Sequence, residues 1–272
     1  MRRRVLFSIL LLGLMPADSS GVSAQPAAPP LPRSIAAIGD SMTQASNVCC
    51  WYRDHPGSSW STGTAWWDGV NSHYERLRAL DLNTTAHNAA DSGARMRDAP
   101  LQAQHVESLQ VDYVTILMGA NDLCTSSVET MTPIEEFRAD FRATMSTLDS
   151  GLSDRARIFV SSIPDIHQLW SIYHAHWLAP LVWDLADICQ SLLAPSRSPE
   201  QRQIVRERNI AFNTVLREEC AAYERCRFDN NAVFNFQFKK SHVSTLDFFH
   251  PSLSGAAQMA NLTWAQSWWI GN

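Results

Sequence analysis

The sequence lacks the apolar run of about 20 residues that a membrane-spanning helix needs; its longest such stretch extends only from Val5 to Met15. It also lacks an excess of basic residues, because the net charge is −5 and no basic stripe is present. Nucleic acid is therefore not an expected partner. No internal repeat and no second domain can be recognised. A single globular domain with a sizeable apolar core is the expected organisation.

The first 24 residues have the layout of a secretory signal peptide. Arg2, Arg3 and Arg4 precede the apolar run, and Val22-Ser23-Ala24 supplies a small-residue cleavage site. No cysteine follows that site to carry a lipid, so a stable membrane anchor is not expected. We predict a signal peptide at 1–24, a mature domain at 25–272, and a secreted, extracellular or periplasmic location.

The sequence contains no CxxC pair, and His174 with His176 alone is a weak ligand set, so no metal site is expected. An even number of cysteines in an exported chain favours disulfides. The six are Cys49, Cys50, Cys124, Cys189, Cys220 and Cys226.

We predict three disulfides among these cysteines. Cys220 and Cys226 are close in sequence and are expected to pair with each other. A vicinal Cys49–Cys50 bridge would strain the backbone, so each of these two is expected to join Cys124 or Cys189, in an order that the sequence leaves open.

Short apolar runs alternate with amphipathic segments along the chain. The predicted strands are Ser34–Ile38, Thr84–Asn88, Val111–Met118 and Arg157–Ser161. The predicted helices are Trp66–Leu80, Pro133–Leu148, Pro199–Tyr223 and Ser254–Trp269. Alternation of this kind predicts an α/β fold with a mostly parallel sheet covered by helices on both faces.

One segment, at about 166–195, belongs to no obvious layer of this fold. It carries Trp170, Trp177 and Trp183 at spacings of seven and six residues, close to two helical turns. Such an insert is either a lid or binding loop, or a pair of core helices. The three tryptophans could share one face of a helix or of a helix pair. If that face is exposed beside Ser41, it forms an apolar groove for an acyl chain, and if it is buried, it is ordinary core.

Ser41 follows the first predicted strand, where an open α/β sheet places its ligand crevice. Near the other end of the sequence, Asp247 precedes His250 by three residues in "LDFFHPSLSG". In a tight turn the carboxylate reaches Nδ1–H of the imidazole and leaves Nε2 free to take the serine proton. Asp40 is expected to anchor the turn rather than to take part in the chemistry.

A nucleophilic serine also needs donors for the oxyanion that forms during attack. Asn121 follows the strand at 111–118, and Gly93 follows the strand at 84–88. The side-chain amide of Asn121 and the main-chain N–H groups of Gly93 and Ser41 are the predicted donors. Each of these residues on its own also suits an ordinary turn or loop cap.

Taken together, the motifs resemble the four blocks of the SGNH, or GDSL-type, hydrolases, and most closely the phospholipase-B-like branch. The matching stretches are GDSMT at 39–43, Gly93, GAND at 119–122 and DFFHP at 247–251. The resemblance implies a flavodoxin-like three-layer α/β/α sandwich. It implies Ser41 as nucleophile, His250 as base, Asp247 as its orienter, and the three oxyanion donors named above.

Three functions are compatible with this reading. The first is a secreted carboxylic-ester hydrolase that needs no cofactor and acts on a small-molecule or lipid ester. The second is an esterase of acetylated polysaccharide on the same fold. The third is a non-catalytic lipid- or carbohydrate-binding module, against which the complete set of catalytic residues argues.

Overall fold

The computed structural model describes residues 28–270. The predicted signal peptide at 1–24 therefore lies outside the described residues. Within 28–270, none of the helices combines the length and the apolar content that crossing a bilayer requires.

A parallel sheet of five strands forms the centre of the domain. Its strands are β1 Ser34–Gly39, β2 Thr85–Asn88, β3 Tyr113–Leu117, β4 Arg157–Val160 and β5 Cys226–Phe228. They are arranged in the order β2-β1-β3-β4-β5, and every pairing is parallel. The four strands predicted from sequence are all present. The sequence did not predict β5, because its three residues, Cys-Arg-Phe, form no apolar run.

Nine α-helices surround the sheet in the described part of the chain. They are α1 His73–Leu80, α2 Ala99–Ser108, α3 Ala120–Leu123, α4 Ile134–Gly151, α5 His167–Tyr173, α6 Ala179–Leu185, α7 Gln190–Leu193, α8 Pro199–Cys220 and α9 Leu253–Trp264. Serine caps begin three of them, because the side chains of Ser72, Ser198 and Ser252 accept hydrogen bonds from main-chain N–H groups of the first turn.

All four predicted helices are present, and two of them differ by five or more residues at one end from those observed. The first begins at His73 rather than Trp66, because Gly69 and Asn71 have left-handed backbones, with φ of 80° and 51°, and interrupt the helical path. The last one ends at Trp264, and Trp269 beyond it packs on the Tyr113 ring at 4.8 Å. Helix α2 was not predicted, since its sequence, APLQAQHVES, has little apolar periodicity.

Alternate residues of the strands point to opposite layers. Ile38, Ile116 and Val160 pack with apolar residues of α2, α4 and α8 on one face. On the other face, Ile35 and Tyr113 pack with α1, and residues of α9 form a neighbouring cluster. Helices therefore cover both faces of the sheet, as expected for strands that read as continuous apolar runs. The predicted three-layer α/β/α sandwich is confirmed.

The disulfide pattern differs from the prediction. Cys220–Cys226 is present as expected, but the second bridge joins Cys124 to Cys189. The prediction that Cys49 and Cys50 each bond to one of those two residues is therefore wrong. The Cα atoms of Cys124 and Cys189 lie only 4.1 Å apart, and the two residues bond to each other rather than to Cys49 or Cys50. Cys49 and Cys50 stay free thiols on the loop after Ser41.

The segment 166–195 folds as three short helices, α5 to α7, rather than as an irregular loop. The Cys124–Cys189 bridge fastens its end to the segment that follows α3. Part of the insert belongs to the core, because Trp183, Leu192 and Leu193 are fully buried. The alternative of core helices therefore applies to these residues, and a role of the insert as a lid or binding loop stays a prediction.

Candidate active site

Ser41 lies just beyond the carboxyl end of β1, in a turn that the neighbouring backbone fixes closely. The Asp40 carbonyl accepts hydrogen bonds from the N–H groups of Thr43 and Gln44, both at 3.0 Å. A Cβ atom at position 39 would lie 2.7 Å from the Thr43 Cβ and 2.9 Å from the Leu117 carbonyl oxygen. Only glycine fits there, so Gly39 allows the chain to turn directly after the strand.

Gln102 of α2 holds the same strand end from the other side. Its Oε1 accepts from the Gly39 N–H at 2.9 Å, and its Nε2 donates to the Gly39 carbonyl at 3.0 Å. The N–H and the carbonyl of Gly39, the last residue of β1, therefore both have a side-chain hydrogen-bond partner. The sequence did not single out Gln102, because α2 was not recognised as a helix.

The structure brings Ser41, His250 and Asp247 into one hydrogen-bonded series. His250 Nε2 lies 2.8 Å from Ser41 Oγ, and His250 Nδ1 lies 2.7 Å from Asp247 Oδ2. These distances suit proton transfer from the serine to the imidazole, with the carboxylate fixing the tautomer. The arrangement matches the one expected from the sequence, although 209 residues separate the serine and the histidine.

The Asp247 carboxylate is fully engaged by its surroundings. Oδ1 accepts from the main-chain N–H groups of Phe249 and His250, at 2.9 and 3.0 Å. Oδ2 accepts from His250 and from Asn47 Nδ2, the latter at 2.7 Å. Burial raises the pKa of Asp247, but the hydrogen bonds and the charge of His250 outweigh it, so the pKa lies below its ordinary value. This carboxylate is thus held ionised.

A hydrogen bond from the insert at 166–195 reaches the backbone of the Asp247–His250 turn. Phe248 lies between Asp247 and His250 and has a left-handed backbone with φ of 56°. The indole N–H of Trp183 donates to the Phe248 carbonyl at 3.2 Å. Trp183, which is fully buried, therefore supports this turn through its indole N–H.

Asn121 and Gly93 lie with Ser41 along one cleft. One N–H of the Asn121 amide donates to the Ala94 carbonyl at 2.9 Å, which leaves its second N–H available. Within the described residues, neither the Ser41 N–H nor the Gly93 N–H donates to a protein acceptor. Gly93 has φ of 86° and no atom within 4 Å of a virtual Cβ, so its backbone conformation, rather than space, requires glycine.

A serine–aspartate cluster supports the segment that carries Gly93. Ser92 Oγ lies 2.8 Å from Ser46 Oγ and donates to Asp54 Oδ1 at 2.7 Å, and Ser46 Oγ also donates to that carboxylate. The residue before Gly93 is therefore tied to the segment that follows Ser41. No pattern in the sequence marks this cluster.

Two clefts of different character meet at Ser41 and His250. One is apolar, and the aliphatic and aromatic residues that line it are Met42, Ile166, Leu169, Ile172, Phe238, Val243 and Phe249. The other is wider and polar, and its lining includes Asn47, Tyr52, Arg53, Asp54, Ser92 and Asp187. Ser41 therefore lies between an apolar and a polar environment.

The tryptophans do not form the groove that their spacing predicted. Trp183 is fully buried, whereas Trp177 is 83% exposed. Trp170 stacks on the His174 ring at 5.3 Å and lies under the Arg202 guanidinium at 3.4 Å. The prediction of one shared exposed face is wrong, because Trp183 is buried in the core whereas Trp177 is exposed. Leu169 and Ile172 of α5 line the apolar cleft instead.

Asp40 and Asp122 lie buried close to this site. Asp40 Oδ1 accepts from the Met42 N–H at 2.9 Å, as expected of a residue that anchors the turn. Its Oδ2 has no hydrogen-bond partner in the part of the chain that the structure describes. Burial raises the pKa of Asp40 from 3.8 to about 7, and burial also raises the pKa of Asp122 to about 6.

A parallel α/β/α sheet with a Ser–His–Asp hydrogen-bonded set at the carboxyl ends of its strands is the architecture of a hydrolase of the serine type. The sequence model of the GDSL-like lipase/acylhydrolase family matches residues 35–263. The chain therefore belongs to this family and is a carboxylic-ester hydrolase.

Solved structures share the fold at low sequence identity. LAE5, an α/β hydrolase from the metagenome of Lake Arreo in Spain, is 17% identical with a TM-score of 0.55, over 86% of this chain and 94% of its own. An extracellular lipase from Streptomyces rimosus is 18% identical with a TM-score of 0.51, over 86% and 99% of the two chains. The acetyl xylan esterase AlAXEase is 17% identical with a TM-score of 0.50, over 85% and 98%. No curated protein matches the sequence.

Proposed function

We propose that this protein hydrolyses acyl or lipid esters through a covalent acyl-enzyme intermediate on Ser41. The observation that carries the proposal is the unbroken hydrogen-bonded series from Ser41 Oγ through His250 to the Asp247 carboxylate, at 2.8 and 2.7 Å. An activated serine nucleophile needs a base within hydrogen-bond reach and a third group that orients the base.

The proposed reaction proceeds in two halves. Ser41 Oγ attacks the ester carbonyl while its proton moves to His250 Nε2, and the N–H groups of Ser41, Gly93 and Asn121 stabilise the oxyanion. The tetrahedral intermediate collapses, and His250 gives the proton to the departing alcohol. Water then attacks the acyl-serine with His250 again as base, which releases the acid and restores Ser41. The residues named suffice for these steps.

The apolar cleft supports an acyl chain as the part of the substrate that it accepts. Leu169 and Ile172 of α5 line this cleft together with Phe238 and Phe249. Each methylene buried among such residues contributes up to about 0.8 kcal/mol. We therefore expect kcat/KM to rise from acetyl to butyryl or longer p-nitrophenyl esters. The resemblance of the sequence to the phospholipase-B-like branch supports the same preference.

The test is a series of p-nitrophenyl esters measured on wild type and on three variants. Ser41→Ala should remove turnover of every ester while the protein remains folded. Leu169→Ala should lower the ratio of butyryl to acetyl kcat/KM, whereas Leu185→Ala, which truncates an exposed leucine of the same insert, should leave it unchanged. Turnover by folded Ser41→Ala would overturn the mechanism, and an unaltered ratio in Leu169→Ala would overturn the cleft assignment.

The polar cleft on the other side of Ser41 favours a second candidate, an esterase of acetylated polysaccharide. Tyr52, Arg53 and Asp54 offer an aromatic ring and polar groups where a sugar alcohol would lie, and the acetyl xylan esterase named above shares the fold. Good activity on acetylxylan with a steep fall beyond acetyl in the p-nitrophenyl series would select this function over the first.

Export completes the proposal. The signal-peptide pattern at 1–24 and the two disulfides, Cys124–Cys189 and Cys220–Cys226, both fit an oxidising compartment. Mature protein recovered outside the cytoplasm should begin near Gln25. Recovery only from the cytoplasm, with Met1 retained and the four cysteines reduced, would contradict export.

A further inference from the structure

Asn47 lies six residues after Ser41 and outside the motifs recognised in the sequence. Its side-chain Nδ2 donates to Asp247 Oδ2 at 2.7 Å, and the same oxygen lies 2.7 Å from His250 Nδ1. We propose that Asn47 is a positioning residue for the reaction, which keeps the Asp247 carboxylate ionised and aimed at His250. This inference rests on the proposed function of Ser41 and His250.

The hydrogen bonds of Asp247 show why a second side-chain donor matters. Two main-chain N–H groups hold Oδ1, but those of Phe249 and His250 belong to the same turn and move with it. Asn47 is the donor to Oδ2 that comes from a different segment of the chain, 200 residues away in sequence. It therefore fixes the carboxylate relative to the sheet and to Ser41, which the turn alone does not do.

The backbone of Asn47 has a separate role that an experiment can isolate. The Asn47 carbonyl accepts from Ser244 Oγ, and its N–H donates to the Arg53 carbonyl at 2.9 Å. Tyr52 Oη also donates to the Leu246 carbonyl. The contacts of Ser244 and Tyr52 join the segment 47–53 to the loop that carries Asp247, and neither of them needs the Asn47 amide.

The residue at position 47 must adopt a left-handed backbone, with φ of 54°. Glycine takes this conformation without strain, and asparagine and aspartate tolerate it better than alanine does. Asn47→Gly thus removes the amide and keeps the backbone path. Asn47→Asp keeps the size of the side chain and replaces its donor by a carboxylate. Asn71→Gly is the matched control, because Asn71 has a similar φ of 51° and lies outside the site.

The charged groups around Asn47 determine what the aspartate variant should do. The titratable and charged residues lining the same cleft are Tyr52, Arg53, Asp54, Asp187, Asp247 and His250. Asp54 is already bonded to Ser46 and Ser92. A carboxylate at position 47 would face Asp247 directly, and two carboxylates that share a site cannot both ionise without raising one pKa of the pair.

We expect Asn47→Gly to lower kcat by about 10- to 100-fold, the range for losing a hydrogen bond to a charged group. We expect Asn47→Asp to be impaired most at high pH, where both carboxylates are ionised. On acidification the pair takes up one proton and regains an O–H donor to Asp247. The ratio of variant to wild-type kcat/KM should therefore rise about tenfold between pH 8 and pH 5.

A purely structural role would not produce that pH dependence. The inference is overturned if Asn47→Gly retains kcat within about twofold of wild type, or if the ratio for Asn47→Asp does not change with pH. Circular dichroism of each variant checks folding, and if Asn47→Gly fails to fold, the Asn47→Asp ratio decides alone. Ser41→Ala in the same assay separates the two proposals: its activity would refute the proposed function, whereas an inactive Ser41→Ala beside unaffected Asn47 variants refutes only this inference.

Discussion

Asp40, the residue before Ser41, provides a direct test of the electrostatics of the candidate site. Its carboxyl is fully buried, Oδ1 is bonded to the Met42 N–H, and Oδ2 has no partner in the described part of the chain. Burial raises its pKa from 3.8 to about 7. Between these two pH values the folded protein therefore keeps a proton that the unfolded chain releases, so the free energy of unfolding must fall as the pH rises.

The magnitude follows from the two pKa values. A pKa raised from 3.8 to about 7 corresponds to about 4 kcal/mol of lost stability at pH values well above 7. About 2.5 kcal/mol of that loss falls between pH 5 and pH 8. An asparagine side chain does not titrate, so we expect Asp40→Asn to remove this part of the pH dependence. The amide N–H that the substitution introduces would be buried without a partner, at a cost of about 1–3 kcal/mol that does not vary with pH.

Urea unfolding at pH 5 and pH 8, with the disulfides intact, measures the difference. Relative to wild type, Asp40→Asn should gain about 2.5 kcal/mol in free energy of unfolding on going from pH 5 to pH 8. Because only the change between the two pH values is compared, the constant cost of the amide cancels. Asp154→Asn, at an exposed carboxylate, is the matched control and should follow wild type. Parallel pH dependence of Asp40→Asn and wild type would refute the reasoning.

Two further predictions concern the oxyanion site and the longer disulfide. Asn121→Ala should cost about 2.7 to 4 kcal/mol of transition-state stabilisation, seen as a lower kcat with a folded protein; a kcat within a factor of two of wild type would show that its amide has only a structural role. Replacing Cys124 and Cys189 together by serine should lower the free energy of unfolding by about 4 kcal/mol, because the bridge closes a loop with a sequence separation of 65 residues. An unchanged urea midpoint would contradict this loop-entropy argument.

Much of the fold was predictable because the informative signals are local. Strand β3 reads as a continuous apolar run since both faces of the sheet are covered, and α8 carries a serine cap with proline in its first turn. Helix α2 and strand β5 were missed for the converse reason. Neither has a periodic apolar pattern of its own, and the packing of the surrounding layers decides its conformation.

Ser41, Asp247 and His250 were singled out from local patterns, because Ser41 directly follows an apolar strand run and Asp247 precedes His250 by three residues. The supporting residues were not. Asn47 meets Asp247 across 200 residues of sequence, and no spacing rule marks such a pair. The tryptophan prediction failed for a related reason: a helical spacing implies a shared face only within one helix, and the chain turns between α5 and α6.

Hydrogen bonds between distant segments fix the backbone around the site. The N–H groups of the cleft can therefore stay unbonded without being mobile. Gln102 satisfies both backbone groups at the end of β1. Ser92 and Ser46 both donate to Asp54, and Asn47 completes the hydrogen bonds of Asp247. The contacts of Gln102, Ser92 and Asn47 each join two segments that are distant in sequence. Donors that are fixed before the substrate arrives need no reorganisation when charge develops, which is the physical basis of their effect on rate. Substitution of these residues should therefore raise the activation free energy derived from kcat by more than it lowers the free energy of unfolding.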